Sequence, residues 1–493
     1  MAEPAAPSLP PPRRAAFGVL LLSGSNAFRL AVQFILFPVL ARLLSPGDYG
    51  LMGLAMPVVL FALTLGEGGM GPALLRAADP QGRVESTMFW TALATGGLCA
   101  AGLLVAAPLL AVGLGNARIT LVLVWLAPVM LLSALSSVPS VRIQRRGASW
   151  IFATGDVASS LTGAAAALAA ALGGWGVWSL VAQQLVIWTV KLAVLFPLAG
   201  NRIGGRPCPA ALRYLLRHGT PLVGGNLLNL FSISVDALLI GRILGIKQLG
   251  YYVLAFQIVR IPEAILNGPV FLTFLPAIVR LDMDRAAATA MFLKAVRMML
   301  SISAPLMLGL TLTTGFAVPL LLGARWHPAI MLLMLLAPPA ITQTIGWLAR
   351  ALLVGRGRSG LQLRLALLNA GLTLAGVLCG APFGLQAIAA GVGLSVILGN
   401  FAYLMAAMAE LRLEARRLAR TVAAPLAASG LMVLGVTGLR LLLPPGYSPF
   451  AALLLCMGMG ALIYGGVLWR LAPDLRGVGA ALLWRRPAAS PSR

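Results

Sequence analysis

Polar side chains recur at helical spacing inside stretches of this sequence that are otherwise apolar. The first such stretch carries Asn26, Arg29 and Gln33, and their spacing puts all three on one face of a helix. A charge at the centre of a bilayer costs roughly 2.5–3.5 kcal/mol, so it usually faces a cavity or a partner. We interpret this face as the lining of a polar cavity. The chemistry it predicts is ligand binding within a membrane.

Other apolar stretches carry polar faces of the same kind. Lys191 lies in the middle of one stretch, where it could line the cavity or extend its amine to the membrane surface. Arg260 could line the cavity or pair with Glu263 three residues later. The acids could equally be buried partners of a basic residue. The remaining candidates are Asn226, Asn229 and Asp236 in the seventh stretch, Gln257 and Asn267 in the eighth, and Glu67 at the end of the second.

The composition shows what kind of protein must hold these residues. The chain has 493 residues, of which 59% are hydrophobic and 10% are charged. Soluble domains have roughly 45–50% apolar and about 25% charged residues. A water-soluble globular protein is therefore excluded, and a polytopic membrane protein is predicted. The sequence contains no P-loop, no HExxH motif and no Cys/His cluster, so we predict no cofactor, no metal and no enzymatic activity.

The net charge of +24 would suggest nucleic-acid binding in a soluble chain. Here most basic residues lie between apolar stretches, where they orient a membrane protein, so no nucleic-acid partner is predicted. With both termini in the cytoplasm, the large majority of Lys and Arg residues fall on the cytoplasmic side. Arg350 is counted among these orientation charges.

Fourteen apolar runs are long enough to cross a bilayer, which needs about 20 residues. The predicted fold class is therefore an all-α polytopic membrane protein with about 14 transmembrane helices. The runs lie at 17–41, 49–75, 84–112, 119–141, 151–172, 175–199, 219–241, 248–279, 289–322, 328–354, 362–381, 384–408, 421–443 and 449–470.

The sequence also resembles itself at an offset of 200 residues, as in Arg42-Leu43-Leu44 and Arg242-Ile243-Leu244. Each copy contains six predicted helices. Because six is an even number, both copies have the same orientation in the membrane. Two pseudo-symmetric six-helix bundles are therefore expected, with a substrate path between them, as in transporters with parallel repeats. The predicted parts are a cytoplasmic tail (1–16), an N-terminal bundle (17–200), a basic cytoplasmic linker (201–218), a C-terminal bundle (219–410), two accessory helices (411–470) and a cytoplasmic tail (471–493).

Three segments resemble a known family. They are FPVLARLLSPGDYGLMGLAMPVVLFALTLGEGGMGPALLR (37–76), GWGVWSLVAQQL (174–185) and VDALLIGRILGIKQLGYYVLAFQIVRIP (235–262). They are similar to the polysaccharide transport proteins, which are oligosaccharide flippases of the multidrug/oligosaccharidyl-lipid/polysaccharide exporter superfamily. Glu67 stands where this family has an acid.

The resemblance implies a flippase that moves a polyprenyl-diphosphate-linked oligosaccharide across the bacterial cytoplasmic (inner) membrane by alternating access, for surface or exopolysaccharide biosynthesis. Membrane lipids and polysaccharide polymerase or export machinery are the expected partners. The anionic headgroup would bind Arg29, Arg260 and Lys191. The sugar hydroxyls would bind Asn26, Gln33, Asn226 and Asn229, and an ion-coupling site could involve Glu67, Asp236 or Glu263.

Three alternatives remain open. A multidrug or cation antiporter of the same superfamily would favour carboxylates and aromatic residues in its cavity, whereas this chain carries basic residues there. A non-transporting scaffold of a polysaccharide synthase complex would have no need for costly polar faces in the membrane. A membrane-embedded glycosyltransferase would be expected to have external carboxylates or a sizeable external loop.

Overall fold

The structure is a computed structural model that is helical through almost all of the residues it describes. The helix α2 (Pro46–Glu67) begins with strong local signals: the Ser45 hydroxyl accepts from the Asp48 backbone N–H, the Asp48 carboxylate accepts from the Ser45 backbone N–H, and Pro46 is the first helical residue. This capping box satisfies backbone groups that a helix start leaves free. The structure describes residues 12–77, 82–200, 205–281, 284–444 and 447–471.

Two short 3-10 turns, Ala324–Trp326 and Ala381–Phe383, interrupt the series of α-helices. The helices are α1 (Pro12–Leu43), α2 (Pro46–Glu67), α3 (Met70–Arg76), α4 (Arg83–Leu114), α5 (Arg118–Leu126), α6 (Pro128–Arg145), α7 (Ser149–Leu172), α8 (Val177–Leu198), α9 (Pro209–Ser232), α10 (Val235–Ile243), α11 (Ile246–Arg280), α12 (Arg285–Leu321), α13 (Pro328–Gly355), α14 (Ser359–Gly380), α15 (Leu385–Leu411), α16 (Ala415–Leu442) and α17 (Pro449–Leu471).

Three of the predicted spans are each built from two consecutive helices. Gly68 and Gly69 both have left-handed backbone, with φ of 58° and 62°, and they separate α2 from α3. Pro128 begins α6 directly after α5. α9 and α10 differ in direction by 41°. Left-handed backbone favours glycine because other residues meet a steric penalty there, which explains the first break.

Within the described residues, 12 helices are long and apolar enough to span a membrane, or 13 if α9 and α10 form one span. The remaining predicted span, 248–279, falls on α11, whose side chains are described only in part. The prediction of an all-α polytopic membrane fold is confirmed, and the predicted count of fourteen is approximate.

The chain divides into two compact units that interleave in sequence. Each has its own apolar core: Met70, Leu74 and Met88 are fully enclosed in unit 1, and Phe292 and Leu352 are fully enclosed in unit 2. The bundle bounds predicted from the sequence, 17–200 and 219–410, remain a prediction. Unit 1 comprises 1–254, 321–326 and 373–388, and unit 2 comprises 255–320, 327–372 and 389–493.

Inside unit 1, residues that are 200 positions apart meet one another. A Cβ on Gly50 would overlap the carbonyl of Ile246, and a Cβ on Gly250 would overlap the carbonyl of Pro46. Pro46 and Ile246 are themselves repeat-related, so the two contacts are reciprocal. The beginnings of α2 and α11 therefore pack with a local twofold arrangement, and both glycines are required by this close approach.

Candidate functional site

The predicted polar face of α1 is exposed in unit 1. Arg29 donates from Nη2 to the Asn26 carboxamide oxygen at 2.8 Å, and Asn26, Arg29 and Gln33 are all exposed. This bond directs the guanidinium along the helix face. Among the described residues, Arg29 has no ion pair with an acid. The cation thus remains available to a ligand.

Glu67 lies at the last residue of α2, beside the two-glycine break. Its carboxylate accepts a hydrogen bond from the hydroxyl of Ser133 on α6 at 3.0 Å, while the rest of the residue is exposed. The structure therefore joins the end of α2 to α6 through one charge-assisted hydrogen bond. This contact leaves part of the carboxylate open to solvent.

Lys191 is paired rather than free. Its Nζ lies 3.0 Å from Asp156 Oδ1 across α7 and α8, and the two side chains are only 22% and 19% exposed. The ammonium also faces the rings of Phe152 at 5.0 Å and Trp188 at 5.9 Å. The sequence analysis missed Asp156, although an acid inside the fifth apolar run is itself a signal. This arrangement satisfies Lys191 without a ligand.

Asp236 is also enclosed by partners. It is 4% exposed, and it accepts a hydrogen bond of 2.6 Å from the hydroxyl of Tyr252, which is 1% exposed. Asn226 is exposed on α9. The side chains of two further predicted residues, Asn229 and Asn267, lie outside the described residues.

In unit 2, Arg260 and Glu263 of α11 line a small cavity. Arg260 is exposed, and its guanidinium carbon lies 5.8 Å from the centre of the Phe256 ring. Glu263 is 6% exposed, and its Oε1 has no hydrogen-bond partner among the described residues. Other residues that line the cavity are Val259, Leu336, Pro339, Ala340, Gln343, Val392, Gly393 and Val396.

Arg350 belongs to the same part of unit 2, although the sequence analysis counted it as a cytoplasmic orientation charge. It lies on α13, and its Nη2 donates to the carboxamide oxygen of Asn400 on α15 at 2.9 Å. The guanidinium faces the rings of Tyr403 at 4.6 Å and Trp347 at 5.4 Å. Gln343, two turns earlier on the same face of α13, lines the cavity together with Glu263. The position of Arg350 near the end of an apolar run concealed this role.

Gly346 allows this arrangement because α13 and α15 approach closely one turn before Arg350. A Cβ at Gly346 would overlap the carboxamide of Asn400. The Asn400 amide also donates to the Thr342 hydroxyl at 3.3 Å. Because Gly346 has no side chain, the Asn400 carboxamide fits against α13, where it accepts the hydrogen bond from Arg350.

The chemistry of these groups is recognition rather than bond breaking. Two guanidinium groups and one carboxylate in unit 2 leave a net positive charge, which suits an anionic ligand. No group of three or more His, Cys, Asp or Glu side chains is placed to hold a metal ion in the part of the chain that the structure describes.

The fold is shared with membrane transporters of known structure. The structure is similar to an inward closed conformation of the lipid II flippase MurJ, with a TM-score of 0.76 and 12% identity, covering 93% of this chain and 100% of that one. It is also similar to an inward-facing multidrug resistance MATE family transporter of the MOP superfamily, with a TM-score of 0.65, 15% identity, and 78% and 94% coverage. The chain therefore shares its fold with these two proteins.

The sequence comparisons identify the family. The chain belongs to the family described as polysaccharide biosynthesis protein, whose profile matches residues 39–331. It is 29% identical over 327 residues to the succinoglycan biosynthesis transport protein ExoT of Rhizobium meliloti (strain 1021), covering 65% of this chain and 64% of that protein. It is 22% identical to the lipopolysaccharide biosynthesis protein WzxC of Escherichia coli (strain K12), covering 75% of each chain. The family predicted from the sequence is confirmed.

Proposed function

We propose that this protein is a flippase that moves a polyprenyl-diphosphate-linked oligosaccharide across the bacterial cytoplasmic membrane by alternating access. Both termini would lie in the cytoplasm, as the distribution of basic residues predicts. The product would feed surface or exopolysaccharide biosynthesis, with polymerase or export machinery as further partners.

The observation that carries this proposal is the guanidinium of Arg29. It lies on an apolar span, it is exposed, and its described partner is the neutral amide of Asn26. A cation left without a counter-charge in a membrane span is costly, so it usually serves a ligand. A diphosphate headgroup supplies the missing negative charge and several strong acceptor oxygens.

The second residue proposed to bind the headgroup is Arg260. Together with Arg350 and Glu263 it leaves a net positive charge in this part of unit 2. The family match and the names of the relatives, which refer to succinoglycan biosynthesis transport and to lipopolysaccharide biosynthesis, support a polysaccharide precursor as the substrate. The exposed amides of Asn26, Gln33 and Asn226 would bind sugar hydroxyls. Asn229 is proposed for the same role.

For ion coupling we propose Glu263 ahead of Glu67 and Asp236. Glu263 has an enclosed oxygen without a hydrogen-bond partner among the described residues, whereas each of the other two accepts a bond from a hydroxyl. The sequence predicts Lys191 as a substrate contact, but its ion pair with Asp156 would have to open before it could bind a headgroup, and we propose instead that this pair joins α7 to α8.

A gene deletion in the native host tests the function directly. We expect loss of surface polysaccharide, with labelled lipid-linked oligosaccharide trapped in the cytoplasmic leaflet. Complementation with Arg29→Ala is expected to reduce export at least tenfold while the protein still reaches the membrane, because a lost charge-assisted contact costs roughly 1.5–3 kcal/mol. Arg29→Lys should retain part of the export.

A matched control is Arg118→Ala, which removes an exposed arginine at the start of α5. It should leave export unchanged. Normal polysaccharide in the deletion strain would contradict the proposed function. Full export by a well-expressed Arg29→Ala variant would contradict the assignment of the site.

A cation or drug antiporter is the second candidate, since the fold is shared with a MATE transporter. That reading predicts altered drug sensitivity in the deletion strain with normal polysaccharide. It would also make Glu67 and Glu263, rather than Arg29, the residues whose removal abolishes transport.

A further inference from the structure

Arg350 is held more firmly than any role as an orientation charge requires. One nitrogen donates to Asn400 Oδ1 at 2.9 Å, and the faces of Tyr403 and Trp347 lie 4.6 and 5.4 Å from the guanidinium carbon. Asn400 and Tyr403 are buried, at 4% and 2% exposure. A cation between two rings gains from both, and more so when water is excluded. Arg350 is therefore a fixed positive charge inside unit 2.

Two enclosed polar atoms in this part of unit 2 lack hydrogen-bond partners among the described residues, and one is a donor while the other is an acceptor. The Nε of Arg350 is enclosed and has no acceptor among the described residues, and the Oε1 of Glu263 is enclosed and has no donor. Leaving a buried polar atom unpaired costs roughly 1–3 kcal/mol, and more when the group is charged. Glu263 lies in a cavity that is also lined by Gln343, two turns before Arg350 on the same face of α13, and by Val396, one turn before Asn400 on α15. An unused donor and an unused acceptor of opposite charge near one cavity can satisfy each other when a side chain changes its rotamer.

Arg260 is the third charged residue in this part of unit 2, and its side chain is exposed. Arg260 is exposed beside the cavity that Glu263 lines, and the ring of Phe256 is its aromatic neighbour at 5.8 Å. The carboxylate of Glu263 and the guanidinium of Arg260 belong to side chains that line the same cavity. A carboxylate that neutralises Arg260 competes with any anion that approaches the same guanidinium.

We propose that Arg350 is a positioning residue that holds the Glu263 carboxylate, and so frees Arg260 to bind the anionic headgroup. In the empty site Glu263 lies in the same cavity as Arg260, and its Oε1 has no hydrogen-bond partner among the described residues. When a diphosphate reaches Arg260, Glu263 moves fully to Arg350 and pairs with its unused Nε–H. Arg350 thus acts through Glu263 and does not touch the substrate. This inference rests on the proposed function.

The test is a double-mutant cycle on the purified full-length protein in nanodiscs, with geranylgeranyl diphosphate as the probe and geranylgeraniol as the neutral reference. Arg350→Met should weaken binding of the diphosphate by at least about tenfold, because Glu263 then keeps Arg260. Glu263→Gln alone should bind at least as well as the wild type. The double variant Arg350→Met/Glu263→Gln should recover to within about threefold of the wild type, since the competing carboxylate is gone.

Two further variants separate positioning from folding. Arg350→Lys keeps the charge and should bind the diphosphate better than Arg350→Met. Arg350→Gln keeps a donor for Asn400, and it replaces Arg350→Met in the cycle if that variant does not fold. Arg358→Met, which breaks an ion pair of 3.0 Å between Glu410 and a 60% exposed arginine side chain, should leave binding unchanged.

The outcomes also separate this inference from the proposed function. If wild-type protein binds the diphosphate no better than the neutral prenol, the proposed function fails and this inference fails with it. If wild-type protein prefers the diphosphate but the double variant is as weak as Arg350→Met, the positioning role is wrong and Arg350 is purely structural.

Discussion

The two units each bury charged groups in apolar helices, but they leave those groups in different states. In unit 1, Lys191 has a carboxylate at 3.0 Å and two aromatic rings within 5.9 Å. In unit 2, Arg350 and Glu263 each keep an enclosed polar atom without a hydrogen-bond partner among the described residues. The first group is complete by itself, and the second has an unused donor and an unused acceptor.

The difference shows that a charge in a membrane span does not identify a binding residue until its partners are known. A paired charge offsets its own desolvation and stabilises the packing of two helices. A charge with partners still missing is ready to accept a ligand or a rearrangement. The pairing of Lys191 therefore favours a structural role, and its assignment to the substrate site stays a prediction.

Breaking the complete pair is expected to have the largest effect. Asp156→Ala leaves the Lys191 ammonium in an apolar setting, and we expect a loss of about 2 kcal/mol. This is less than the 3–5 kcal/mol typical of a fully buried pair, because both side chains keep some exposure. Thermal unfolding of the purified protein in detergent measures the loss.

The matched variant Asp156→Leu/Lys191→Met removes both charges and keeps similar volume. It should unfold near the wild-type temperature and still support export. If export is lost while stability is normal, Lys191 does bind substrate, and the contrast between the two units disappears.

A smaller effect is expected from disturbing the packing of Gly346 against Asn400, which accepts the hydrogen bond of Arg350. Gly346→Ala pushes a methyl group into the Asn400 carboxamide, and overpacking of this kind costs roughly 1–3 kcal/mol. The gain in helix propensity from glycine to alanine, about 1 kcal/mol, offsets part of this. We expect weaker binding of a prenyl diphosphate together with a modest drop in melting temperature.

Gly371→Ala on α14 is the control, because a Cβ there has nothing within 4 Å. It should be neutral or slightly stabilising. Equal effects of the two substitutions on diphosphate binding would argue against any link between Asn400 and the site.

The smallest effect concerns the orientation of the chain in the membrane, which labelling of Cys208 can report. Cys208 precedes α9, and hydrogen bonds from the backbone of Ala211 and Ala210 lower the pKa of its thiol. A lowered pKa leaves more thiolate at neutral pH, so alkylation should stay fast to a lower pH than for a free cysteine peptide.

A membrane-impermeant maleimide should label Cys208 in inside-out vesicles and not in intact spheroplasts. Labelling from the outside would reverse the proposed orientation. A pH profile that matches the free peptide would show that the backbone donors do not stabilise the thiolate.

The sequence predicted the fold class well because apolar runs, breakers and basic connections are local signals. Spacing along single helices also predicts Arg29 and Arg260 as substrate contacts, with Glu263 as a possible partner of Arg260, and these assignments stay predictions. It did not find Asp156 as the partner of Lys191, nor Arg350 as the neighbour of Glu263. Those relations join different helices, and helical periodicity reports only one helix at a time.

The reciprocal contacts of Gly50 and Gly250 also limit how the starts of α2 and α11 can move. Each glycine lies against a carbonyl of the other helix, so two points of contact define a line between the helices. Sliding one helix start along the other would open both contacts, whereas rolling about that line would keep both. The two glycine contacts therefore favour one relative motion of these helix starts, a rotation about the line that joins the contacts.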